Sequence, residues 1–156
     1  TPEKKSPFFS RKRARKKLNI REARPQDCAF IAGQLSELGY PNTSAFVRDK
    51  LAELDTGDTV LVAEGAGEVL GFAHLHVSEL FHEPGRIGRI MALAVTELDR
   101  RAGVGRELMA TLERIARQAG CVEMEVTSGI RRKGAHAFYE QMGYREEPRR
   151  FVKRIG

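Results

Sequence analysis

Two glycines and several arginines between residues 100 and 106 make this stretch well suited to bind a phosphate group. The stretch follows an apolar run that ends at Val95, and it reads Arg100-Arg101-Ala102-Gly103-Val104-Gly105-Arg106. Glycine lets the backbone turn tightly and leaves amide N–H groups uncovered. The start of a helix adds unpaired N–H donors and a partial positive charge. The pattern therefore predicts an anion cradle between a strand and a helix.

Two common nucleotide-binding motifs do not fit this cradle. The dinucleotide fingerprint needs a third glycine where this chain has Leu108, and the P-loop needs a Gly-Lys-Ser/Thr sequence that does not occur. Glu125 lies about where a ribose-binding acid would follow such a fingerprint, but no second βαβ half comes after it. On its own, Gly-x-Gly is better explained as a flexible connection between a strand and a helix, with exposed arginines.

The elements that would position this cradle can be read from the periodicity of apolar residues. Residues 19–23 predict a first strand, and a helix opens at Pro25 with Asp27 complementing its dipole and Gly39 ending it. Thr43 or Ser44 can cap a second helix, whose predicted apolar side holds Phe46, Val47, Leu51 and Leu54. Residues 59–63, 69–77 and 87–95 predict an antiparallel meander.

The second half of the chain predicts a crossover. A helix runs from the glycine loop to Gly120, a strand spans residues 121–127, and the strand-helix-strand order implies a parallel pair. A short helix over residues 135–142 ends at Gly143, and residues 144–155 predict one or two final strands. The fold class is therefore α+β, with a mixed, mostly antiparallel central sheet flanked by helices and one parallel crossover at the glycine-loop helix. Residues 18–156 are expected to form a single domain.

The spacing Arg100-x-x-Gly103-x-Gly105, between a strand and a helix, resembles the pyrophosphate-binding motif of the GNAT superfamily of acetyl-coenzyme A-dependent N-acetyltransferases. The stretch from Arg21 to Asp27 resembles the first strand and helix entry of that family. Ala135-His136-Ala137-Phe138-Tyr139-Glu140-Gln141-Met142-Gly143-Tyr144 resembles its C-terminal signature. The order of elements matches from about Leu18 to Ile155, which is nearly all of the chain beyond the first 17 residues.

The resemblance implies direct transfer of an acetyl group from acetyl-coenzyme A, the co-substrate, to an amine. Backbone amides of Arg101 to Arg106 would hold the pyrophosphate, and the strand edge at Leu93, Ala94 and Val95 would hydrogen-bond the pantetheine arm. One of those amides would polarise the thioester carbonyl. The expected coenzyme-binding residues are Leu93, Ala94, Val95, Arg100, Arg101, Ala102, Gly103, Val104, Gly105, Arg106, His136 and Phe138; no metal ligands are expected.

Tyr139 aligns with the tyrosine that in this family protonates the departing thiolate. A phenol with a pKa near ~10 can serve a thiol near ~8.5 as a general acid. Without that context Tyr139 is a boundary residue between Phe138 and Met142, which predict core packing. His136 would order the acetyl end of the coenzyme, although a packed helix histidine explains it equally well.

The proton acceptor for the amine is left open by the sequence. An alkylamine with a pKa of ~10.4 is neutral in only about one molecule in 2,500 at pH 7, a deficit of roughly 4.6 kcal/mol. Many relatives carry a glutamate in the strand before the glycine loop, but this run begins Ile90-Met91. The candidates are Glu79, Glu83, His74, His76 and His82, each of which is also explained as a solvent-facing residue.

A basic loop departs from the family pattern. Arg132 stands where many members place an asparagine seven residues before the tyrosine, which puts one pantetheine contact in doubt. The cluster Arg131-Arg132-Lys133 could instead meet the coenzyme 3′-phosphate or an anionic substrate group, while a solvated loop is the default interpretation.

The positive charge is concentrated at the N-terminus. The chain has a formal net charge of +6, and residues 1–17 hold eight Lys or Arg against Glu3, so the remainder is close to neutral. We expect residues 1–17 to be a flexible tail, solvated rather than bound to nucleic acid. No secretory signal or run of ~18 apolar residues is found, so no membrane partner is expected. Cys28 and Cys121 predict reduced core thiols in a cytoplasmic protein.

The sequence thus predicts a cytoplasmic acyltransferase that acetylates a primary amine of a small molecule or a protein. The stretch from Thr127 to Tyr144 resembles members acting on small amines, including aminoalkylphosphonates, and the basic loop suits an anionic acceptor. The alternative from another class is a non-catalytic acyl-coenzyme A-binding regulatory module whose basic tail binds nucleic acid. A homodimer is left open.

Overall fold

Five strands form one mixed sheet in the computed structural model, which describes residues 17–97, 102–127, 133–147 and 150–156. The strands lie side by side in chain order, antiparallel except for the parallel pair β4 and β5. This is the predicted α+β architecture, with the parallel crossover made by the glycine-loop helix, and the prediction is confirmed. The strands are β1 Leu18–Glu22, β2 Asp58–Gly65, β3 Glu68–Glu79, β4 Arg86–Val95 and β5 Cys121–Val126.

Helices cover both faces of the sheet. A 3₁₀ turn over Pro25–Asp27 leads into α1, and Thr43 caps α2 by accepting a hydrogen bond from the Phe46 amide at 3.1 Å. Gly39 ends α1 and Gly120 ends α3 in the left-handed conformation, with φ of 94° and 83°, which glycine adopts without a Cβ clash. The helices are α1 Cys28–Glu37, α2 Ser44–Ala52, α3 Val104–Gln118 and α4 Lys133–Gln141.

The sheet separates two apolar cores. On one face α1 and α2 pack against Val62, Phe72 and Ala94. On the other face the buried side of α3 packs against β2, β3 and β4, and α4 adds partly buried aromatic residues. Val104, Leu108 and Leu112 are fully buried on α3, as their spacing predicts. None of the helices in the described ranges is both long enough and apolar enough to cross a bilayer.

Two β-bulges shift the register on either side of β3. Leu70 is an extra residue in β3 relative to β2, because Ala63 pairs with Gly71 and Glu64 pairs with Val69. Met91 is an extra residue in β4, because His74 pairs with Ala92 while Leu75 pairs with Ile90. A bulge bends its strand and changes which side chains share a face. Both bulges matter for the site described below.

The predicted strands after Tyr144 are wrong for the part of this segment that the structure describes. Residues 144–147 and 150–156 contain no strand, and Phe151, Val152 and Ile155 are largely exposed. Apolar and β-branched residues specify a strand where they pack against a half-buried surface. These side chains reach no such surface, so their pattern alone does not produce one.

Phe46 also departs from the prediction, since it is 50% exposed rather than part of the apolar side of α2. Val47 and Leu51 face the sheet core instead. Successive residues of a helix are rotated by about 100°, so a short helix that buries Val47 turns Phe46 outward. Its ring lies 5.5 Å from the Lys50 ammonium.

Candidate active site

The N-terminus of α3 presents backbone amides that precede its hydrogen-bonded ladder. Gly103 lies in the left-handed conformation with φ of 81° and carries no side chain that could cap the helix. The amide of Glu107 bonds to the Gly103 carbonyl at 3.1 Å, so the α-helical ladder starts at Glu107 and the amides of Val104, Gly105 and Arg106 precede it. These three amides and the helix dipole lie where the sequence predicts an anion cradle, and binding of an anion there stays a prediction.

A pocket of about 540 Å³ opens at this helix start. One wall is the beginning of α3, and the other is a single stripe of α4. A Cβ placed on Gly105 would lie 3.4 Å from the Phe138 ring, so this ring packs closely over the glycine. The lining residues are Gly103, Gly105, Arg106, Gly134, Ala137, Phe138 and Gln141.

One edge of β4 is left without a strand partner next to this pocket. β5 pairs with β4 from Arg86 to Ile90 and ends at Val126, whereas β4 continues to Val95 with β3 on its other edge. Among the described residues no strand covers the β5 side of residues 91–95. Such an edge exposes N–H and C=O groups that an extended ligand can pair with.

The predicted coenzyme-binding residues on β4 have side chains that pack into the two cores. Ala94 is buried toward α1 and α2, while Leu93 and Val95 pack against the α3 side of the sheet. Val104 is completely buried. Arg106 and Ala102 are exposed at the helix start. A Cβ placed on Gly105, which lines the pocket, would lie 3.7 Å from Cγ2 of Val95, so the pocket and the end of the open strand edge are adjacent.

Several basic residues named from the sequence lie outside the described residues. These are Arg100 and Arg101 beside the cradle and Arg131 and Arg132 in the basic loop. Their proposed contacts with phosphate stay predictions.

Tyr139 lies on α4 in a cluster of three aromatic rings. Its ring centroid is 5.2 Å from Phe138 and 5.9 Å from Tyr144, both in edge-to-face geometry. It is partly buried against the core that α3 covers. Its assignment as a general acid stays a prediction.

Tyr144 has a different environment from Tyr139. Its hydroxyl donates to the Glu113 carboxylate on α3 at 3.0 Å. Burial and this hydrogen bond raise the pKa of Tyr144 well above its ordinary value. Tyr144 therefore ties the end of α4 to α3 as a neutral phenol.

His136 is partly buried on α4, but the pocket is lined by its neighbours Gly134 and Ala137 rather than by its ring. Both interpretations from the sequence, a coenzyme contact and a packed histidine, stay open.

Three of the five candidate proton acceptors are remote from the open edge of β4. Glu79 is 70% exposed and pairs with Arg86 at the opposite end of β4, at 2.7 Å. His82 and Glu83 are exposed and pair with one another in the loop before β4. The open edge begins at Met91, which is five residues beyond Arg86. That separation corresponds to roughly 17 Å along an extended strand.

The other two candidates, His74 and His76, share one carboxylate. His74 Nε2 and His76 Nδ1 each lie 2.9 Å from Oδ1 of Asp58, at the start of β2. Oδ2 of Asp58 accepts the Asp55 amide at 3.1 Å. Asp58 was missed at the sequence level. The His-x-His spacing, which puts both rings on one face of a strand, is the signal that could have prompted a search for their partner.

The electrostatics of Asp58 favour the ionised carboxylate. Burial by itself would raise the pKa of Asp58, but the hydrogen bonds from His74, His76 and the Asp55 amide hold it below its usual value. An ionised carboxylate can only accept hydrogen bonds, so each ring donates one to Asp58 through an N–H group. All three side chains are incompletely exposed, with 13% exposure for Asp58, 26% for His74 and 39% for His76.

Comparison with known proteins agrees with this geometry. A model of the GNAT acetyltransferase family matches residues 21–144. An aminoglycoside N(6′)-acetyltransferase type 1 of Stenotrophomonas maltophilia is 30% identical over 139 residues, which cover 83% of this chain and 88% of that protein.

A second relative matches over a shorter stretch. An aminoalkylphosphonate N-acetyltransferase of Salmonella typhimurium is 38% identical over 89 residues. The match covers 57% of this chain and 58% of that protein, so it spans less than two thirds of the relative.

The fold also matches solved structures. A crystal structure of an acetyltransferase of Trypanosoma brucei superposes with a TM-score of 0.74 and 24% identity, covering 89% of this chain and 100% of that one. The family model spans most of the chain and the sheet has the same form, so the chain belongs to the GNAT family of acetyltransferases.

Proposed function

We propose that this chain transfers the acetyl group of acetyl-coenzyme A directly to the primary amine of a small anionic molecule, with an aminoalkylphosphonate as the first candidate. The observation that carries the proposal is the junction of the open β4 edge with the amide cradle of α3. The relative acting on aminoalkylphosphonates supports the acceptor class.

The residues at this junction fit coenzyme A. The cradle offers three backbone donors for a pyrophosphate, with the exposed Arg106 beside them. Gly103 carries no side chain and a Cβ placed there would meet no atom within 4 Å, so phosphate oxygens can approach its backbone. The edge of residues 91–95 offers the extended hydrogen-bond partners that a pantetheine arm requires.

The chain's own groups would divide the work as follows. Amides 104–106 bind the pyrophosphate, and the backbone of residues 93–95 aligns the pantetheine arm. An amide of the same edge stabilises the charge that develops on the acyl oxygen. The Tyr139 hydroxyl gives its proton to the leaving sulfur. The co-substrate supplies an activated acetyl group as a thioester.

The direct test is an acetyl-coenzyme A-dependent thiol-release assay over matched acceptors. We expect turnover with short aminoalkylphosphonates, with kcat/KM at least about 10-fold above that of neutral alkylamines of equal length, because a single charged contact contributes about 1.5 kcal/mol or more. A panel of aminoglycosides and peptides covers the other acceptor classes. Absence of thiol release with every acceptor would overturn the enzymatic proposal. A preference for neutral amines would overturn the acceptor class alone.

The variant Tyr139→Phe tests whether Tyr139 is the general acid that protonates the leaving sulfur. Loss of the hydroxyl should lower kcat by about 10²-fold or more while the acetyl-coenzyme A affinity changes little, since general acids typically contribute 10²–10⁴-fold. Steady-state kinetics and calorimetric binding of the coenzyme measure the two effects. Tyr144→Phe is the matched control. It removes the bond to Glu113 and should lower thermal stability without a comparable loss of kcat. An unchanged kcat in Tyr139→Phe would remove Tyr139 from this role.

A further inference from the structure

A row of charged and polar side chains crosses the sheet beside the open edge of β4. The register places Asp58 opposite His76, His76 opposite Arg89, and Arg89 opposite Glu125. Residues directly opposite one another in neighbouring strands share a face. The next row inward holds Val60, His74 and Ala92. It joins the core under α1 and α2, so the charged row lies on the face of those helices.

This row is next to the position where a bound acetyl group is expected. The amide cradle lies beyond Val95, and the open edge runs back from Val95 to Met91. A pantetheine arm laid along that edge would therefore place its thioester near Met91. His74 pairs with Ala92 and His76 pairs with Arg89, so the two histidines flank Met91 on the neighbouring strand. Neighbouring strands are only about 4.8 Å apart.

The shared carboxylate determines which ring nitrogens stay basic. Because ionised Asp58 can only accept, His76 presents the proton on Nδ1 and keeps the lone pair on Nε2. In His74 the proton is on Nε2, and the remaining lone pair is on Nδ1, the nitrogen nearer the backbone. The structure records no partner for Nε2 of His76 among the residues it describes. His76 is also the more exposed of the two rings.

We propose that His76 is the general base that takes a proton from the acceptor amine, and that Asp58 and His74 position it. This inference rests on the proposed function and names the group that the sequence leaves unassigned. His76 accepts the amine proton on Nε2, while its Nδ1 is hydrogen-bonded to Asp58. His74 and the Asp55 amide fix the orientation of the Asp58 carboxylate through their own hydrogen bonds.

The proton balance of the reaction is complete with these groups. The ammonium form of the acceptor carries three protons on nitrogen, and the amide product carries one. His76 Nε2 takes the first and releases it to solvent. The nitrogen lone pair then forms the bond to the acyl carbon, the carbon–sulfur bond breaks, and the sulfur takes a proton from Tyr139. The second nitrogen proton then returns to Tyr139, and the third stays on the amide. Net, one ammonium and one thioester give one amide, one thiol and one proton.

The test compares His76→Gln, Asp58→Asn and His74→Gln with His82→Gln as a matched control. His82 is an exposed histidine of the loop before β4 and is paired with Glu83. We expect His76→Gln to lower kcat by about 10²–10⁴-fold, Asp58→Asn and His74→Gln to cause smaller losses, and His82→Gln to match the wild type. Binding of acetyl-coenzyme A should be unchanged in all four, which calorimetry measures. Thermal unfolding checks that each variant is folded.

The pH profile separates a base from a structural residue. The rise of kcat/KM with pH should be lost in His76→Gln and kept in His74→Gln. The groups that face His76 are Asp58 from β2 and Arg89 from β4, with Glu125 of β5 paired to Arg89. α1 and α2 contribute apolar side chains to the core on this face.

Two results would overturn the inference while leaving the proposed function intact. One is a His76→Gln variant that binds acetyl-coenzyme A and keeps the wild-type kcat and pH profile. The other is loss of the rise with pH in His74→Gln rather than in His76→Gln. The proposed function would itself fail if the wild-type chain released no thiol with any acceptor, which is a distinct outcome.

Discussion

Asp27 serves mainly as the partner of Arg21, although its position before α1 suggests a role in complementing the helix dipole. Asp27 precedes α1, where an acid would complement the helix dipole. In the structure it accepts two hydrogen bonds from the Arg21 guanidinium, at 2.8 and 3.0 Å, and one from the Arg24 amide at 2.7 Å. Arg21 also bonds Glu64 on β2 at 2.9 Å. This network joins β1, β2 and the entrance of α1.

Asp27→Asn should destabilise the protein by about 3 kcal/mol or more at pH 7, because it leaves Arg21 short of a partner in a site where Asp27 is 3% exposed. Burial alone would raise the pKa of Asp27, but the bonds from Arg21 and Arg24 hold it below its ordinary value. A depressed folded-state pKa adds stability above the unfolded-state pKa, and this stability is lost as pH falls through the folded-state value.

Urea unfolding measured between pH 7 and pH 2 checks this prediction. The wild type should lose stability below about pH 4, the ordinary pKa of aspartate, and Asp27→Asn should lose less over the same range. Glu147→Gln is the control, since its ion pair with Arg145 is largely exposed and should change stability by no more than about 0.5 kcal/mol. Parallel pH curves for the wild type and Asp27→Asn would contradict the prediction.

Between elements, β3, β4 and α3 approach one another closely at Gly71, beside the open edge of β4. A Cβ on Gly71 would lie 2.9 Å from the Ala94 carbonyl oxygen, 3.2 Å from Val104 and 3.3 Å from Leu108. Ala94 belongs to the open strand edge, and Val104 begins the helix that forms the cradle. The missing side chain therefore determines the distance between the two halves of the proposed coenzyme site.

Gly71→Ala should cost about 1–3 kcal/mol of stability, since overpacking forces backbone shifts. It should also weaken acetyl-coenzyme A binding, because β4 and α3 must separate. Denaturation and calorimetric titration measure the two effects. Gly33→Ala is the matched control, because a Cβ at this position on α1 meets no atom within 4 Å. It should keep both affinity and stability. Equal coenzyme affinity in Gly71→Ala and the wild type would contradict the positioning role.

At the scale of the whole molecule, the excess positive charge and the residues proposed to act in catalysis occupy different parts of the chain. The residues proposed to act lie between Asp58 and Tyr139, whereas eight basic residues precede position 18. We propose that residues 1–17 are not needed for acetyl transfer.

Deletion of residues 1–17 should leave kcat/KM for the amine within about twofold of the full chain, a difference of roughly 0.4 kcal/mol. The thiol-release assay measures this directly. A filter-binding titration with duplex DNA at several salt concentrations, before and after deletion, tests whether the tail carries an electrostatic interaction with nucleic acid. A large loss of acetyl transfer on deletion would show that the tail contributes to the site.

Much of the fold follows from local patterns. The apolar face of α3 and the glycines after α1 and α3 are strong signals because they act within one element. The C-terminal strands could not be predicted in the same way, since Phe151, Val152 and Ile155 have a strand-like pattern but no core to pack against. The prediction that Phe46 lies on the buried side of α2 was wrong for a related reason, since burial of Val47 determines how α2 is rotated about its axis.

The sequence by itself determined the strand end and helix start that form the proposed anion cradle, because a strand, two glycines and an amphipathic helix are contiguous and their geometry is local. Only the tertiary structure decided which groups surround the proposed acetyl position. With continuous pairing from the turn at Ala66 and Gly67, Asp58 would lie opposite Leu75, on the other face of the sheet. The bulge at Leu70 shifts the register by one residue and brings Asp58 to His76. A shift of one residue in the pairing moves every later side chain to the other face relative to its partner strand. The local pattern of apolar residues did not reveal this shift.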